Sequence, residues 1–193
     1  MLPAGVRLVP LTPHADERGI FTELYRASWD VGVAPVQWNA VSSSTNVLRG
    51  VHAHIRHADY LTLAVGRATI GLHALRPDSP TEGLGTTVEL DADEPSALVI
   101  PVGVAHGFYF HTERSVHVYA VSHEFDPADE LGCRWDDPEL DIAWPCTEPL
   151  VSSRDESLGS LRELCAVWRS ALVSACARRQ LAALATSASR GSG

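Results

Sequence analysis

The stretch YLTLAVGRATIGLHAL at residues 60–75 has the pattern of two short strands separated by a turn. Residues 60–65 and 68–75 are rich in Leu, Val, Ile and Thr, which favour strands. Between them, Val65-Gly66-Arg67 predicts a tight turn, because glycine adopts a positive φ without steric cost. Short strands and turns alternate on both sides of this stretch, so we expect a chain that is mainly β structure.

The predicted strands are short and are separated by Gly, Pro, Asp or Asn, which indicates an antiparallel sandwich or a small barrel. In the last of them the two-residue period places His117, Tyr119 and Val121 on one face. A buried His and Tyr need polar partners, and a polar cavity inside a barrel would supply them. We place the strands at residues 6–11, 20–25, 36–42, 60–65, 68–75, 85–90, 97–100, 107–111 and 115–122.

The C-terminal part of the chain has a different pattern. Residues 158–185 are mostly Leu, Ala, Arg and Glu, with an apolar stripe at helical spacing, and Ser160 with Glu163 matches a capping box. We therefore predict a β domain over residues 1–150 and a C-terminal extension over 151–193. The extension holds one helix over about 158–185, followed by a frayed tail at 186–193.

Charge and composition exclude several classes of protein. The 193 residues include 24 acidic and 15 basic ones, and a formal charge of −9 disfavours nucleic-acid binding. Every basic residue is Arg, so lysine Schiff-base chemistry is excluded. No apolar run approaches the roughly 20 residues of a membrane span, and the N-terminus lacks a secretory pattern. Four cysteines without a C-x-x-C pair lead us to expect a cytoplasmic protein with reduced thiols.

Three segments combine residues that can carry chemistry, at 46–54, 100–108 and 151–155. Taken singly, an Arg-Gly-x-His or a Pro-x-Gly segment is common at turns. Taken together, they place His52 and His106 at two strand starts that would form opposite walls of a small barrel. Small-molecule sites form preferentially at the mouth of such a barrel, so we expect the site there.

Several further motifs share one order along the chain. They are DERGIF at 16–21, Q-x-N at 37–39, LRGVH at 48–52, IPxGxAHGF at 100–108, WxDP at 135–138 and SxxD at 152–155. In this order, over about residues 5–160, the chain resembles the dTDP-4-dehydrorhamnose 3,5-epimerase family, the nucleotide-sugar epimerases of the cupin fold. The resemblance implies an all-β, cupin-type jelly-roll barrel that forms a homodimer. It also implies a dTDP-linked 4-keto-6-deoxyhexose as substrate, inverted at C3, C5 or both, with no cofactor.

The resemblance also assigns roles to single residues. His52 would be the base that removes a proton next to the C4 ketone, and Asp155 would bind its other ring nitrogen. Tyr119 would return a proton from the opposite face of the sugar. The residues that would bind the nucleotide, its diphosphate and the sugar are Arg18, Phe21, Gln37, Asn39, Arg49 and His106.

Two departures from the family pattern support other interpretations. The family lysine that steadies the enolate oxygen aligns with Asp59, and the family glutamine two residues after the base is His54. One alternative is a metal-dependent cupin enzyme with a divalent metal at His52, His54, Asp59 and His106. Another is a nucleotide-sugar-binding protein that lost its epimerase activity together with the lysine.

Overall fold

The structure is a computed structural model that describes residues 1–173, and twelve strands dominate this part of the chain. All strand pairs within the sheets are antiparallel. The strands are β1 (Arg7–Pro10), β2 (Pro13–Asp16), β3 (Gly19–Thr22), β4 (Gln37–Ser43), β5 (Leu48–Ala53), β6 (Asp59–Val65), β7 (Arg67–Ala74), β8 (Gly85–Asp91), β9 (Ser96–Ile100), β10 (Val104–Phe110), β11 (Ser115–Val121) and β12 (Leu131–Gly132).

Two five-stranded sheets face each other, with the strand orders β1-β9-β6-β11-β4 and β12-β5-β10-β7-β8. Apolar side chains of both sheets meet in one core, among them Leu61 from β6, Leu72 from β7 and Phe110 from β10. β2 and β3 pair only with each other, as a separate two-stranded sheet. The prediction of an all-β jelly-roll barrel is therefore confirmed.

The turn at Gly66 is present, and it has a consequence for the topology. Gly66 has φ +86°, in the left-handed region that glycine tolerates. The strands on its two sides do not pair, because β6 belongs to one sheet and β7 to the other. The stretch that predicts β structure thus carries the chain from one wall of the barrel to the other.

Sequence patterns gave no bounds for three strands, β2, β5 and β12. The strand start expected at His52 belongs to β5, but β5 pairs with β10 in one sheet, so His52 and His106 do not lie on opposite walls. All four residues of β2 are exposed, so the strand has no apolar alternation to detect. β5 contains Arg49-Gly50, a pair that is more typical of a turn. β12 has two residues and pairs with Ala53 and His52, a contact that sequence patterns cannot register.

Two helices follow the barrel strands, α1 (Ser153–Glu156) and α2 (161–173). Ser160 and Glu163 form the expected reciprocal cap, with Ser160 N–H donating to Glu163 Oε2 at 2.7 Å and Glu163 N–H donating to Ser160 Oγ at 3.3 Å. Leu164 and Trp168 pack in a core cluster with Ala105 of β10.

Residues 174–185 of the predicted helix and the predicted tail at 186–193 lie outside the described residues. The division of the chain at residue 150 stays a prediction. Within residues 1–173, no helix has the length and apolar character that a membrane crossing needs.

Candidate active site

A cavity of about 240 Å³ opens between the two sheets, lined by β4, β6 and β11 on one side and by β5 and β10 on the other. The two-residue alternation of these strands turns their polar side chains into it. The predicted site residues that line the cavity are Gln37, Asn39, Arg49, His52, His54, Asp59, His106 and Tyr119.

His52 and Asp155 form a hydrogen-bonded pair at the edge of this cavity. His52 Nε2 lies 2.8 Å from Asp155 Oδ1, and because a carboxylate only accepts, Nε2 carries the proton. Asp155 Oδ2 accepts the N–H of Gly50 at 3.2 Å, while the Asp155 N–H donates to Ser152 Oγ at 3.1 Å. Burial alone would raise the pKa of Asp155, but these hydrogen bonds lower it below its ordinary value. The arrangement leaves Nδ1 of His52 with a free lone pair.

The opposite wall of the cavity is formed by β11, where Tyr119 and His117 stack with ring centroids 5.6 Å apart. Phe108 of β10 also stacks with His117, at 5.3 Å between ring centroids. Burial, together with the negative charges of Asp59 and Glu130, raises the pKa of Tyr119, so its phenol stays protonated. The expectation that this strand directs His and Tyr into a polar cavity agrees with their position.

The cavity also contains two guanidinium groups. The side chain of Arg49 is held by Ser43 Oγ, which accepts from Nε at 3.0 Å. Arg154 contacts Glu130, with Nη2 3.5 Å from Oε2. Gln37 and Asn39 hydrogen-bond each other at 3.0 Å. These groups give one part of the cavity the donors that a phosphate or a nucleobase needs.

A third group of polar side chains lies at the buried floor of the cavity. His57 Nδ1 lies 3.1 Å from Asp129 Oδ2, and His54 Nδ1 lies 3.2 Å from the Asp129 carbonyl oxygen. Asp59 Oδ1 lies 3.8 Å from His57 Nε2, and Asp59 Oδ2 lies 3.9 Å from His106 Nε2. The side chains of His54, His57 and Asp59 are at most 8% exposed.

Burial shifts the pKa values of the ionisable side chains at the cavity floor in opposite directions. It lowers the pKa of His106 to about 4 and, together with the charges of His106 and His57, the pKa of His54 to about 2. Burial raises the pKa of Asp59 to about 7. For His57, burial alone would lower the pKa, but the hydrogen bond to Asp129 and the charge of Asp59 raise it.

Two predicted binding residues need a correction. Arg18 and Phe21 do not line the cavity of their own chain, because the β2–β3 hairpin that carries them forms a separate sheet. Arg18 pairs instead with its neighbour Asp16, and Phe21 is 62% exposed. Each residue can contact a ligand in this cavity only if a second copy of the chain supplies it.

The alternative four-residue metal set needs a correction too. His52 is held by Asp155, outside the group that His54, Asp59 and His106 form with ligand atoms within 4.8 Å of one another. His57, which belongs to none of the motifs, is 5% exposed and lines the cavity. His73, likewise outside the motifs, is 4% exposed, and its Nδ1 lies 2.8 Å from the Leu140 carbonyl oxygen.

Two polar residues of the cavity lining, Glu130 and Arg154, received no role in the sequence interpretation. Arg154 stands beside Asp155 in the SxxD motif, so that motif was the available signal. Glu130 follows Asp129 in a segment that reads as a solvated loop. Asp129 is nevertheless 2% exposed and accepts the backbone N–H groups of residues 55 and 56. Only the folded barrel brings this loop under the end of β5.

An imidazole–carboxylate pair, a phenol and two arginines lie at one cavity of a jelly roll, as the class of cupin-fold sugar-nucleotide epimerases requires. The family model described as dTDP-4-dehydrorhamnose 3,5-epimerase matches residues 3–163. A protein of that name from Sinorhizobium fredii is 32% identical over 174 residues, covering 83% of this chain and 87% of the relative. The chain therefore belongs to the dTDP-4-dehydrorhamnose 3,5-epimerase family.

Solved structures agree with this assignment. NovW, a 4-keto-6-deoxy sugar epimerase from Streptomyces spheroides, has a TM-score of 0.79 at 30% identity, with 89% of each chain covered. ChmJ, a 3′-monoepimerase from Streptomyces bikiniensis in complex with dTDP-quinovose, has a TM-score of 0.79 at 29% identity, with 94% of this chain and 96% of ChmJ covered. Solved structures named as a 3′-monoepimerase and as a 3,5-epimerase both match this fold.

Proposed function

We propose that the protein is an epimerase of a dTDP-linked 4-keto-6-deoxyhexose, inverting C3, C5 or both, in deoxysugar biosynthesis. The observation that carries this proposal is the 2.8 Å contact between His52 Nε2 and Asp155 Oδ1, beside a cavity that Tyr119 also lines. Family membership supplies the substrate class. The names of the relatives include both a 3,5-epimerase and a 3-epimerase.

His52 is the base in this reaction. Because Nε2 is committed to Asp155, the lone pair of Nδ1 is the one available to a ligand in the cavity. The proton moves from the sugar carbon to Nδ1, and the C–H electrons pass into the enolate formed with the C4 oxygen. Asp155 then stabilises the imidazolium that results.

Tyr119 is the acid that completes the inversion. It lies on β11, in the sheet opposite the one that carries His52 on β5, so a sugar between them has one group on each face. A proton delivered from the tyrosine side restores the carbon with inverted configuration, and exchange with solvent resets both groups. The raised pKa of Tyr119 keeps this proton in place until the enolate forms.

The nucleotide end of the substrate is proposed to bind at the arginine side of the cavity. Arg49 suits bidentate contacts with the diphosphate, Gln37 and Asn39 offer amide groups, and His106 lines the sugar pocket. Arg18 and Phe21 join this site only from a second copy, which supports our proposal of a homodimer. Ile20 and Phe21, exposed by 73% and 62%, give the hairpin an apolar surface that such a copy would cover.

We further propose that the protein acts in the cytoplasm, without nucleic-acid or membrane partners. The net charge of −9 supports this proposal, as does the sugar nucleotide itself, which is a small soluble substrate. Neither proton is carried by a cofactor, because both the base and the acid are side chains. Between the two transfers the C4 oxygen carries negative charge, which a further group in the cavity must stabilise.

The test is incubation with dTDP-4-keto-6-deoxyglucose in heavy water, with deuterium and stereochemistry at C3 and C5 read by NMR. The wild-type protein should incorporate deuterium with inversion, and His52→Ala should lower exchange on the order of 100-fold or more. Tyr119→Phe should weaken inversion more than exchange, because the base remains.

His111→Ala and Tyr109→Phe are the matched controls, since neither residue lines the cavity. Both controls should retain wild-type exchange. Full turnover in both His52→Ala and Tyr119→Phe would show that the roles are wrong. Binding of dTDP by the wild-type protein without any exchange would identify a binding protein instead of an epimerase.

A further inference from the structure

Three imidazoles at the cavity floor each have one ring nitrogen facing an acceptor. His106 Nδ1 lies 3.1 Å from the Val104 carbonyl oxygen, and His54 Nδ1 lies 3.2 Å from the Asp129 carbonyl oxygen. A carbonyl oxygen only accepts, so both Nδ1 atoms carry the proton and both Nε2 atoms keep a lone pair. A metal-binding histidine in proteins has this same arrangement, with one nitrogen donating to a carbonyl and the other free.

The carboxylate among them has no donor. Within residues 1–173 the Asp59 side chain makes no hydrogen bond, although it is only 7% exposed. Its Oδ2 lies 3.9 Å from His106 Nε2, so a carboxylate oxygen faces an imidazole lone pair across a gap that is too long for a hydrogen bond. On its other side, Oδ1 lies 3.8 Å from His57 Nε2. A bound cation would stabilise this arrangement, because it would give the carboxylate and the imidazole lone pair of His106 a common partner.

We propose that His54, Asp59 and His106 bind a divalent transition-metal ion at the cavity floor, with an open coordination position towards the bound ligand. Ligand atoms of the three residues lie within 4.8 Å of one another, and all three residues are buried. An ion with bonds of about 2.0–2.2 Å holds its ligand atoms roughly 3–4 Å apart, so a small closure completes the site. Two imidazoles and one carboxylate suit Zn²⁺, Fe²⁺, Mn²⁺ or Ni²⁺.

The location of this ion gives it a role that rests on the proposed function. Asp59 is in the position that aligns with the family lysine, and a carboxylate there would repel the negative charge of an enolate oxygen. An ion at Asp59 reverses that sign and polarises the C4 oxygen as a Lewis acid. His52 and Tyr119 keep their proton transfers, since neither belongs to the three ligands.

The binding test uses the untagged full chain, stripped with EDTA and titrated with Co²⁺, with visible absorption and elemental analysis after dialysis. The wild-type protein should hold about one equivalent of metal per chain. His54→Gln and Asp59→Asn should weaken binding roughly tenfold or more, while His111→Gln, outside the cavity, should bind as wild type. Circular dichroism shows whether each variant is folded.

The proposal of a metal site is wrong if the stripped wild-type protein binds no stoichiometric Co²⁺, or if both ligand variants bind Co²⁺ with unchanged affinity. Neither readout involves the sugar, so this result is independent of the exchange experiment. The proposed role of the ion at the C4 oxygen has its own test. In the Asp59→Lys variant, an ammonium group takes the place of the ion. Stripped wild-type protein should lose deuterium exchange and Asp59→Lys should keep it, whereas full exchange in stripped wild-type protein contradicts the role.

Discussion

Asp155 is a single residue whose ionisation affects both stability and the proposed chemistry. Its lowered pKa means that the folded state favours the carboxylate more than the unfolded state does. This contribution is fully present above the unfolded pKa of about 3.9 and is lost as the pH falls through the lower folded value. Asp155→Asn should therefore lower the free energy of unfolding by about 1.5–3 kcal/mol at neutral pH, with a difference that shrinks below about pH 4.

Urea unfolding of both proteins between pH 3 and about 7 measures that difference. Asp136→Asn is the matched control, because Asp136 is an exposed carboxylate paired with Arg134 and its loss should change stability by less than about 0.5 kcal/mol. Asp155→Asn should also lower deuterium exchange, because the imidazolium of His52 loses its partner. A stability difference that stays constant from pH 7 to about 3 would contradict this account.

Sequence motifs identified the residues proposed to transfer protons, but not the side chains that surround them in the fold. His52, Asp155 and Tyr119 stand in motifs, so they were predicted, and the structure brings the first two within 2.8 Å. The alternative metal set predicted that Asp59 lies near His54 and His106, but its contact with His57 and the Asp129 loop was not predictable, because these segments meet only in the fold. Side-chain contacts across 103 positions of sequence, as between His52 and Asp155, follow from topology and not from local spacing.

At the scale of elements, the crossing from β6 to β7 depends on Gly66. A Cβ there would lie 2.3 Å from Thr112 Oγ1 and 2.9 Å from the Arg114 carbonyl oxygen, at a φ of +86° that other residues rarely adopt. Gly66→Ala should therefore destabilise the fold by about 2–4 kcal/mol, through backbone strain and steric overlap together. Urea unfolding followed by circular dichroism measures the change.

Gly83 separates the two contributions. It has φ +75°, but a Cβ there meets nothing within 4 Å. Gly83→Ala should therefore cost only the strain, about 1–2 kcal/mol. Equal losses in the two variants would show that the overlap at Gly66 relaxes without cost.

Burial explains some of the strands that sequence patterns found or missed, although β5 is largely buried and was missed because of its Arg49-Gly50 pair. Strands that line the core alternate or are wholly apolar, and β6, β7, β9 and β11 lie within a few residues of their predicted bounds. β2 has no buried residue, so no periodicity marks it. α2 begins at residue 161, where Ser160 and Glu163 cap it, because the cap decides where a helix starts.

At the scale of the whole molecule, the β2–β3 hairpin is an element that does not line the cavity of its own chain. It is a sheet of two four-residue strands, and an isolated hairpin of that size is marginally stable in water. Ile20 and Phe21 of the hairpin are exposed, and Arg18 does not line the cavity of its own chain. Both observations are explained if the hairpin packs on a second copy. The predicted binding role of Arg18 then requires that one protomer completes the site of its partner.

Mixing two inactive variants tests this arrangement. His52→Ala removes the base and Arg18→Ala removes a cation that serves the other protomer. A heterodimer of the two variants therefore has one site that lacks both groups and one intact site. After unfolding and refolding together, an equal mixture should recover about a quarter of wild-type deuterium exchange, since half of the dimers are mixed and each holds one intact site. If Arg18 acts within its own chain, no pairing restores a site and the mixture stays inactive. Sedimentation of the wild-type protein as a monomer would contradict the arrangement independently.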